Sequence, residues 1–266
     1  MLLTSNRKCR LNNDDIYNNN NILNKCSILN DVSLYAIKGE GSYGTVFGGY
    51  AKNDIGNKIP IAVKFININQ NNIDIMSYEA DLTLDMGNRG IGPKIYDMFY
   101  IEYIYKEQLV VEQIIIMEDY PYDLEIYLNK YHYKDNSNLI LQAINIIKKM
   151  SYDIGWFCSD IKPENFVTNG KVVKMIDFGL KYCKPFSINK NTEEYAYKLS
   201  TILIYQLLCM INDRKYNYLL CDLDLNIVEK QLIKEQNLSK YNRNFKLIHY
   251  FKYNPKCMNP HKLCRN

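Results

Sequence analysis

The sequence predicts an α+β fold of two lobes, and two observations support this fold class. Apolar residues alternate with small or polar ones across residues 33–50 and 58–68, a period typical of half-buried strands. From residue 119 onwards apolar residues recur at helical spacing instead, and residues 192–211 are mostly apolar. A β-rich lobe joined to a helical lobe predicts a ligand-binding cleft between the two lobes.

The strand period and the helix period also predict the individual strands and helices. The predicted strands lie on both sides of a glycine-rich stretch within 33–50, and at 58–68, 94–102 and 108–118. The predicted helices span 73–87, 138–155 and 192–211. Within the strand at 58–68, Ile61 and Val63 belong to one face, whereas Ala62 and Lys64 belong to the other.

The first 30 residues differ in composition from the rest of the chain. They are polar and rich in asparagine, which is typical of segments that bury little apolar surface. We therefore expect a loosely ordered arm over residues 1–30. The β-rich lobe would then span residues 31–118, and a hinge with a shortened helical lobe would span residues 119–266.

Composition and charge narrow the class of protein. The chain has 266 residues, a formal net charge of +4 and 47% hydrophobic residues, which is ordinary for a soluble globular protein. The positive charge is slight and scattered, so nucleic-acid binding is disfavoured. No apolar stretch is long enough for a signal peptide or a membrane span. We expect an intracellular, cytoplasmic protein that binds neither nucleic acid nor membrane.

The eight cysteines are widely spread and include no C-x-x-C pair. In an intracellular protein this spacing favours free buried thiols over a disulfide framework. Near the C-terminus Cys257, His261 and Cys264 lie close together in sequence. A zinc site there is disfavoured because a fourth ligand is missing.

Residues 38–47 read KGEGSYGTVF and space Gly39, Gly41 and Gly44 as G-x-G-x-x-G. Glycines let backbone N–H groups approach phosphates because no Cβ intervenes, although a plain hairpin that needs positive φ uses the same residues. The stretch lies between two predicted strands and does not open a helix. This order disfavours a dinucleotide-binding fold, which requires strand, loop and helix in succession.

Motifs further along the chain distinguish a phosphate-binding loop from a plain hairpin. They are Lys64 in IAVKF, Glu79 in SYEADL, Asp160, Lys162 and Asn165 in SDIKPEN, and Asp177, Phe178 and Gly179 in DFG. Together with the glycine loop, and in this order, they resemble the eukaryotic-type protein kinase family from about Val32 to Leu208. The lysine at position 162 resembles the serine/threonine class.

The resemblance implies transfer of the γ-phosphoryl group of ATP, with Mg²⁺, to a protein hydroxyl. Asp160 would accept or orient the substrate hydroxyl proton, and Lys162 would contact the transferring phosphoryl group. Asn165 and Asp177 would bind Mg²⁺. The fold implied is a two-lobed kinase fold, with a β-rich N-lobe, a helical, shortened C-lobe and the ATP cleft between them.

The resemblance also implies a set of residues around ATP. The glycine loop would cover the phosphates, Lys64 paired with Glu79 would hold the inner phosphates, and Met117 would border the back of the pocket. The implied residues are Lys38, Gly39, Glu40, Gly41, Ser42, Tyr43, Gly44, Thr45, Val46, Ala62, Lys64, Glu79, Met117, Glu118, Tyr120 and Val167. Glu118 and Tyr120 would offer backbone groups to adenine, and Val46, Ala62 and Val167 would sandwich its ring.

The sequence departs from the family at several positions. Cys158 and Ser159 replace a histidine and an arginine, no A-P-E motif follows the DFG, and Ala196 stands where a helix aspartate is expected. The compact chain resembles the divergent kinases of large DNA viruses, which implies a location in the host cytoplasm or the virion. Two alternatives stay open: a pseudokinase that binds nucleotide or a partner without catalysis, and a small-molecule kinase.

Overall fold

The structure is a computed structural model, and it describes residues 7–11, 18–41, 44–53, 55–68, 73–179, 182–187, 192–211, 213, 216, 218–228 and 230. The chain divides into two compact units, Met1–Tyr120 and Pro121–Asn266. It combines a six-stranded sheet with several helices, so the predicted α+β class is confirmed. Within the described residues, no helix has both the length and the apolar character that a membrane span requires.

The first unit is built on the six-stranded sheet, whose strand order is β1-β5-β6-β4-β3-β2. The strands are β1 (Lys8–Arg10), β2 (Asn30–Gly41), β3 (Gly44–Lys52), β4 (Lys58–Ile68), β5 (Ile95–Tyr105) and β6 (Gln108–Glu118). The helices are α1 (Asn19–Cys26) and α2 (Ile73–Asn88). Neighbouring strands pair antiparallel, except that β1 runs parallel to β5.

Both faces of this sheet bury apolar side chains. On one face Ile61 of β4 belongs to a core cluster with Leu23 of α1, and on the other face Ile66 belongs to a cluster with Met76 of α2. Successive side chains of a strand point to opposite faces, so one strand can supply both clusters. β4 is therefore a central strand that fixes the positions of its polar residues as well.

The expectation of a loosely ordered N-terminal arm is wrong for its described residues. β1 pairs with β5 in the register Lys8↔Tyr100, and Arg7 donates two hydrogen bonds to the Asp97 carboxylate, at 2.7 and 2.6 Å. Ile22 and Leu23 of α1 are buried, and burial of each such side chain is worth about 1.5–3 kcal/mol. A few well-placed apolar residues and one ion pair thus order a segment whose average composition is polar.

The expectation of free thiols is wrong for four of the cysteines. Cys9 forms a disulfide with Cys26, and Cys158 forms one with Cys183. The second pair joins residues that lie directly opposite each other on antiparallel strands, a proximity that the spacing in sequence does not show. Cys209 is buried and belongs to neither disulfide, whereas the segment 257–264 lies outside the described residues.

The second unit combines helices with short strands. Its helices are α3 (Leu124–Lys130), α4 (Ser137–Lys149), α5 (Glu193–Ile211) and α6 (Tyr218–Cys221), and a π-helical turn (Met150–Ile154) extends α4. Its strands are β7 (Tyr122–Asp123), β8 (Trp156–Cys158), β9 (Phe166–Thr168), β10 (Val173–Met175) and β11 (Cys183–Pro185). They form a three-stranded sheet, β10-β9-β7, and the pair β11-β8. These short strands present the loops that contain the predicted catalytic residues.

Candidate active site

The glycine stretch forms the hairpin between β2 and β3. The register pairs Gly39 with Val46, Glu40 with Thr45, and Gly41 with Gly44. Ser42 and Tyr43, which the sequence also predicts to contact nucleotide, lie outside the described residues. The described glycines with positive φ lie elsewhere in the chain, so backbone conformation does not explain these three glycines.

The space around the backbone explains the three glycines of the hairpin, for one reason at Gly44 and for another at Gly39 and Gly41. A Cβ atom on Gly44 would lie 1.9 Å from the carbonyl oxygen of Phe65 on β4, so Gly44 allows the two strands to approach. Among the described residues, a Cβ on Gly39 would meet nothing within 4 Å, and one on Gly41 would meet only Gly44 O at 3.9 Å. The backbone at Gly39 and Gly41 is therefore open to a ligand from the side where other residues carry a side chain.

Lys64 and Glu79 are brought together from different elements of the first unit. Lys64 lies on β4 and Glu79 on α2, and Lys64 Nζ lies 3.1 Å from Glu79 Oε1. Glu79 is buried, whereas the Lys64 side chain keeps 27% of its surface exposed. The carboxylate thus holds the ammonium group in place and leaves part of it accessible to an anion.

The strand register places further predicted residues on the same face of the sheet as Lys64. Val46 of β3 lies directly opposite Lys64, and Met117 of β6 lies directly opposite Ala62. Residues opposite each other on antiparallel strands point to the same face, as do Ala62 and Lys64, two residues apart on one strand. Val46, Ala62 and Met117 thus form an apolar surface beside the lysine. We call these residues, with Lys64 and Glu79, the lysine cluster.

In the segment after β6, backbone groups that the sequence predicts to be available to a ligand already form hydrogen bonds within the protein. Glu118 donates its backbone N–H to Lys94 O at 2.8 Å. Lys38 Nζ forms an ion pair with Asp119 and donates to Tyr120 O at 2.7 Å. An adenine ring would therefore have to meet other backbone groups of this segment. Sequence analysis did not identify Asp119, because its partner lies far away along the chain.

Burial, and then the negative charge of Glu118, raise the pKa of the Tyr120 hydroxyl above its usual range. The hydroxyl is also hydrogen-bonded to Glu118. A phenol with a raised pKa stays protonated at physiological pH and serves as a hydrogen-bond donor. Tyr120 therefore stabilises this segment and is not a candidate acid or base.

In the second unit, Asp160 and Lys162 lie just before a 3-10 helical turn (Pro163–Asn165) that ends with Asn165, and Asp177 lies in the loop after β10. We call these four residues the aspartate cluster. Asn165 Nδ2 donates to Asp160 O at 2.8 Å and to Asp160 Oδ2 at 3.0 Å. Lys162 Nζ lies 3.0 Å from the same Oδ2. One carboxylate oxygen of Asp160 is thus fixed by two donors, which leaves Oδ1 for a further hydrogen bond.

The charge state of Lys162 follows from its surroundings. Burial lowers its pKa, but the hydrogen bond that Lys162 donates to Asp160 and the negative charges of Asp160, Glu164 and Asp177 outweigh burial. The pKa of Lys162 is therefore raised, and its ammonium group stays charged at physiological pH. A fixed positive charge accordingly lies beside the carboxylate of Asp160.

Asp177 follows β10 and has a backbone angle rarely adopted outside glycine, with φ at 65°. Such conformations concentrate at functional sites, where the surrounding structure holds them. Here the preceding N–H, of Ile176, donates to Asn165 O at 2.8 Å, and the next side chain, Phe178, is buried. These contacts fix Asp177 next to the loop that contains Asn165.

The donor set of this cluster fits a magnesium ion that is shared with phosphates. Among the described residues, no three His, Cys, Asp or Glu side chains are grouped to hold a metal ion by themselves. Mg²⁺ in nucleotide sites is held by one or two carboxylates together with phosphate oxygens and waters. Asp177 would supply the carboxylate. Asn165 turns its nitrogen towards Asp160, so its Oδ1 would supply the second oxygen.

No protein-family model matches the chain. The functional interpretation therefore depends on the predicted residues and their positions. Within the first unit the predicted residues Val46, Ala62, Lys64 and Met117 share one face of the sheet, and Glu79 pairs with Lys64. Val167 belongs to the second unit, where it lies on β9 opposite Lys174 and Asp123.

Proposed function

We propose that the protein is an ATP- and Mg²⁺-dependent serine/threonine protein kinase with a two-lobed kinase fold. The observation that carries the proposal is the hydrogen-bonded set of Asp160, Lys162 and Asn165. A carboxylate with one free oxygen, a neighbouring ammonium group and an amide oxygen are the groups that phosphoryl transfer to a hydroxyl requires.

The roles of the chain's own groups follow from these contacts. Asp160 Oδ1 orients the acceptor hydroxyl and takes up its proton, while Oδ2 stays bonded to Lys162 and Asn165. The charged Lys162 stabilises negative charge that develops on the transferred group. Because both donors are held before any substrate binds, little reorganisation is needed during the reaction.

Each unit contains groups that suit one part of a nucleotide with Mg²⁺. Lys64, fixed by Glu79, would bind the inner phosphates, and the open backbone at Gly39 and Gly41 would approach them. Asn165 Oδ1 and the Asp177 carboxylate would hold Mg²⁺, which neutralises charge on the phosphates when it is bound.

A small-molecule kinase is the second candidate, and one observation favours it. α5 begins at Glu193, so only a short segment separates Gly179 from this helix. Kinases that bind a peptide usually use a longer segment there, as the resemblance implies. The two candidates share the chemistry and differ in the acceptor.

A transfer assay with radiolabelled γ-phosphoryl ATP and Mg²⁺ tests the proposal against mixed protein and small-molecule acceptors. We expect label on serine or threonine of protein, and a loss of about 100-fold or more in Asp160→Asn. Asp153→Asn is the control, because Asp153 is an exposed aspartate of the same unit. Label confined to small molecules would overturn the protein acceptor, and an active Asp160→Asn would overturn the mechanism.

A further inference from the structure

Helix α5 contains a buried glutamine within an almost entirely apolar stretch. Gln206 is 4% exposed and lies between Tyr205 and Leu207, which are both buried. Removing a side-chain amide from water is unfavourable unless the amide finds hydrogen-bond partners in the protein. The contacts of this side chain therefore indicate why a polar residue is present in the helix.

The donors of Gln206 contact the backbone on both sides of Asp160. Nε2 donates to Ile161 O at 2.7 Å and to Ser159 O at 3.4 Å. Oε1 is buried and has no hydrogen-bond partner among the described residues. Because carbonyl oxygens only accept hydrogen bonds, the amide nitrogen must be the atom that faces them.

We propose that Gln206 is a positioning residue for Asp160, an inference that rests on the proposed function. Its amide bridges the carbonyl groups of the residues before and after Asp160, so it holds the peptide unit that precedes Asp160 and the one that follows Ile161. It contacts neither ATP nor the acceptor hydroxyl. Its effect on the reaction is to orient the carboxylate that does.

The other contacts of this loop show what Gln206 adds. Ser159 N–H donates to Tyr182 O at 2.9 Å, and Asn165 Nδ2 donates to Asp160 O at 2.8 Å. These bonds hold the loop from the β11 side and from within the loop itself, whereas Gln206 holds it from α5. Ile161 is buried, so loss of the Gln206 amide leaves its carbonyl without this partner and favours a shift of the loop.

A role limited to helix packing does not account for the residue. A methionine has nearly the same shape, packs well in irregular apolar sites and would not bury an acceptor such as Oε1 without a partner. What methionine cannot do is donate hydrogen bonds to two carbonyl oxygens. The feature that distinguishes glutamine at this position is therefore its contact with the loop of Asp160.

The test compares Gln206→Met with Gln113→Met in the full chain. Gln113 is a matched control because it is also buried, donates from Nε2 to Tyr100 OH at 3.2 Å and has an Oε1 with no hydrogen-bond partner in the described part of the chain. We expect kcat of Gln206→Met to fall about 10- to 100-fold, as for a misplaced catalytic group. KM for ATP should stay within about threefold, and Gln113→Met should keep the wild-type kcat.

A second variant, Gln206→Glu, supplies a pH signature that packing alone would not produce. Its carboxylate would face two carbonyl oxygens, and burial raises the pKa of such a carboxyl group. The protonated form can donate its O–H to Ile161 O, whereas the ionised form repels it. We therefore expect kcat relative to wild type to rise as the pH falls, measured well below the melting temperature. A ratio of the two kcat values that stays constant with pH would contradict the proposal. This test remains available even if Gln206→Met does not fold.

Amide hydrogen exchange of residues 156–166 separates this inference from the proposed function. We expect faster exchange in Gln206→Met and unchanged exchange in Gln113→Met, whether or not the wild type is active. Unchanged exchange in Gln206→Met overturns the positioning role. An active wild type with full kcat in Gln206→Met overturns it as well. An inactive wild type with faster exchange in Gln206→Met overturns the kinase proposal and supports the anchoring of the loop.

Discussion

Lys64 and Glu79 form an ion pair with 3.1 Å between Nζ and Oε1, although one belongs to the central strand β4 and the other to helix α2. The carboxylate is buried and the lysine is partly exposed. An ammonium group held in this way is positioned before an anion arrives, which lowers the entropic cost of binding phosphate.

The first prediction follows from this pair. Lys64→Met should lower phosphoryl transfer about 100-fold or more, because it removes a charge that stabilises the transition state. Glu79→Gln should lower it about 10-fold, since the lysine is present but less well oriented. Rates at saturating ATP measure both effects. Lys58→Met, at an exposed position of the same strand, is the control, and normal turnover by Lys64→Met would contradict the assignment.

The second prediction concerns nucleotide binding without turnover. Mg-ATP should raise the free energy of unfolding by about 2.7 kcal/mol at a hundredfold excess over Kd, because it binds only the native state. Thermal melts with and without Mg-ATP measure the shift, and Asp177→Asn should reduce it. Absence of any shift at millimolar nucleotide would exclude both the kinase and a nucleotide-binding pseudokinase. It would leave an interaction module that binds a partner without nucleotide.

The third prediction concerns the ordered N-terminal segment. The disulfide between Cys9 and Cys26 closes a loop with a sequence separation of 17, so its removal should lower the free energy of unfolding by about 3 kcal/mol. The double variant Cys9→Ala, Cys26→Ala tests this in urea, and Cys209→Ala is the control that keeps both disulfides. Alkylation of Cys9 and Cys26 in the native, unreduced protein would show that the bond does not form.

The fourth prediction concerns regulation. Ser159 stands where the kinase family that the sequence resembles has an arginine, and it bonds Tyr182 O through neutral groups, its N–H at 2.9 Å and its Oγ at 3.3 Å. A phosphorylated loop switches a kinase through cationic partners, which this position does not offer. The dephosphorylated protein should therefore be active in an initial-rate assay after phosphatase treatment. A large loss of rate, regained on phosphorylation of Ser187 or Thr192, would show the opposite.

Local pattern was sufficient to predict most of the secondary structure. The strands predicted at 58–68 and 108–118 are β4 and β6, and the helices predicted at 73–87 and 192–211 are α2 and α5 within a residue. Strand and helix periods are properties of neighbouring residues, so a single sequence carries them. The pairing of Lys64 with Glu79, by contrast, is expected from the resemblance of the motifs to a kinase family and not from local period.

Only the tertiary structure decided which distant residues meet. The partnership of Gln206 with Ile161, the pairing of Lys38 with Asp119 and the disulfide of Cys158 with Cys183 each join segments far apart along the chain. Such contacts depend on strand register and helix packing, which the free energy of the whole unit selects and which local period does not encode. The order of the N-terminal segment is another property that the sequence pattern did not predict. Its composition is polar, yet Ile22 and Leu23 bury enough apolar surface against the sheet to order it.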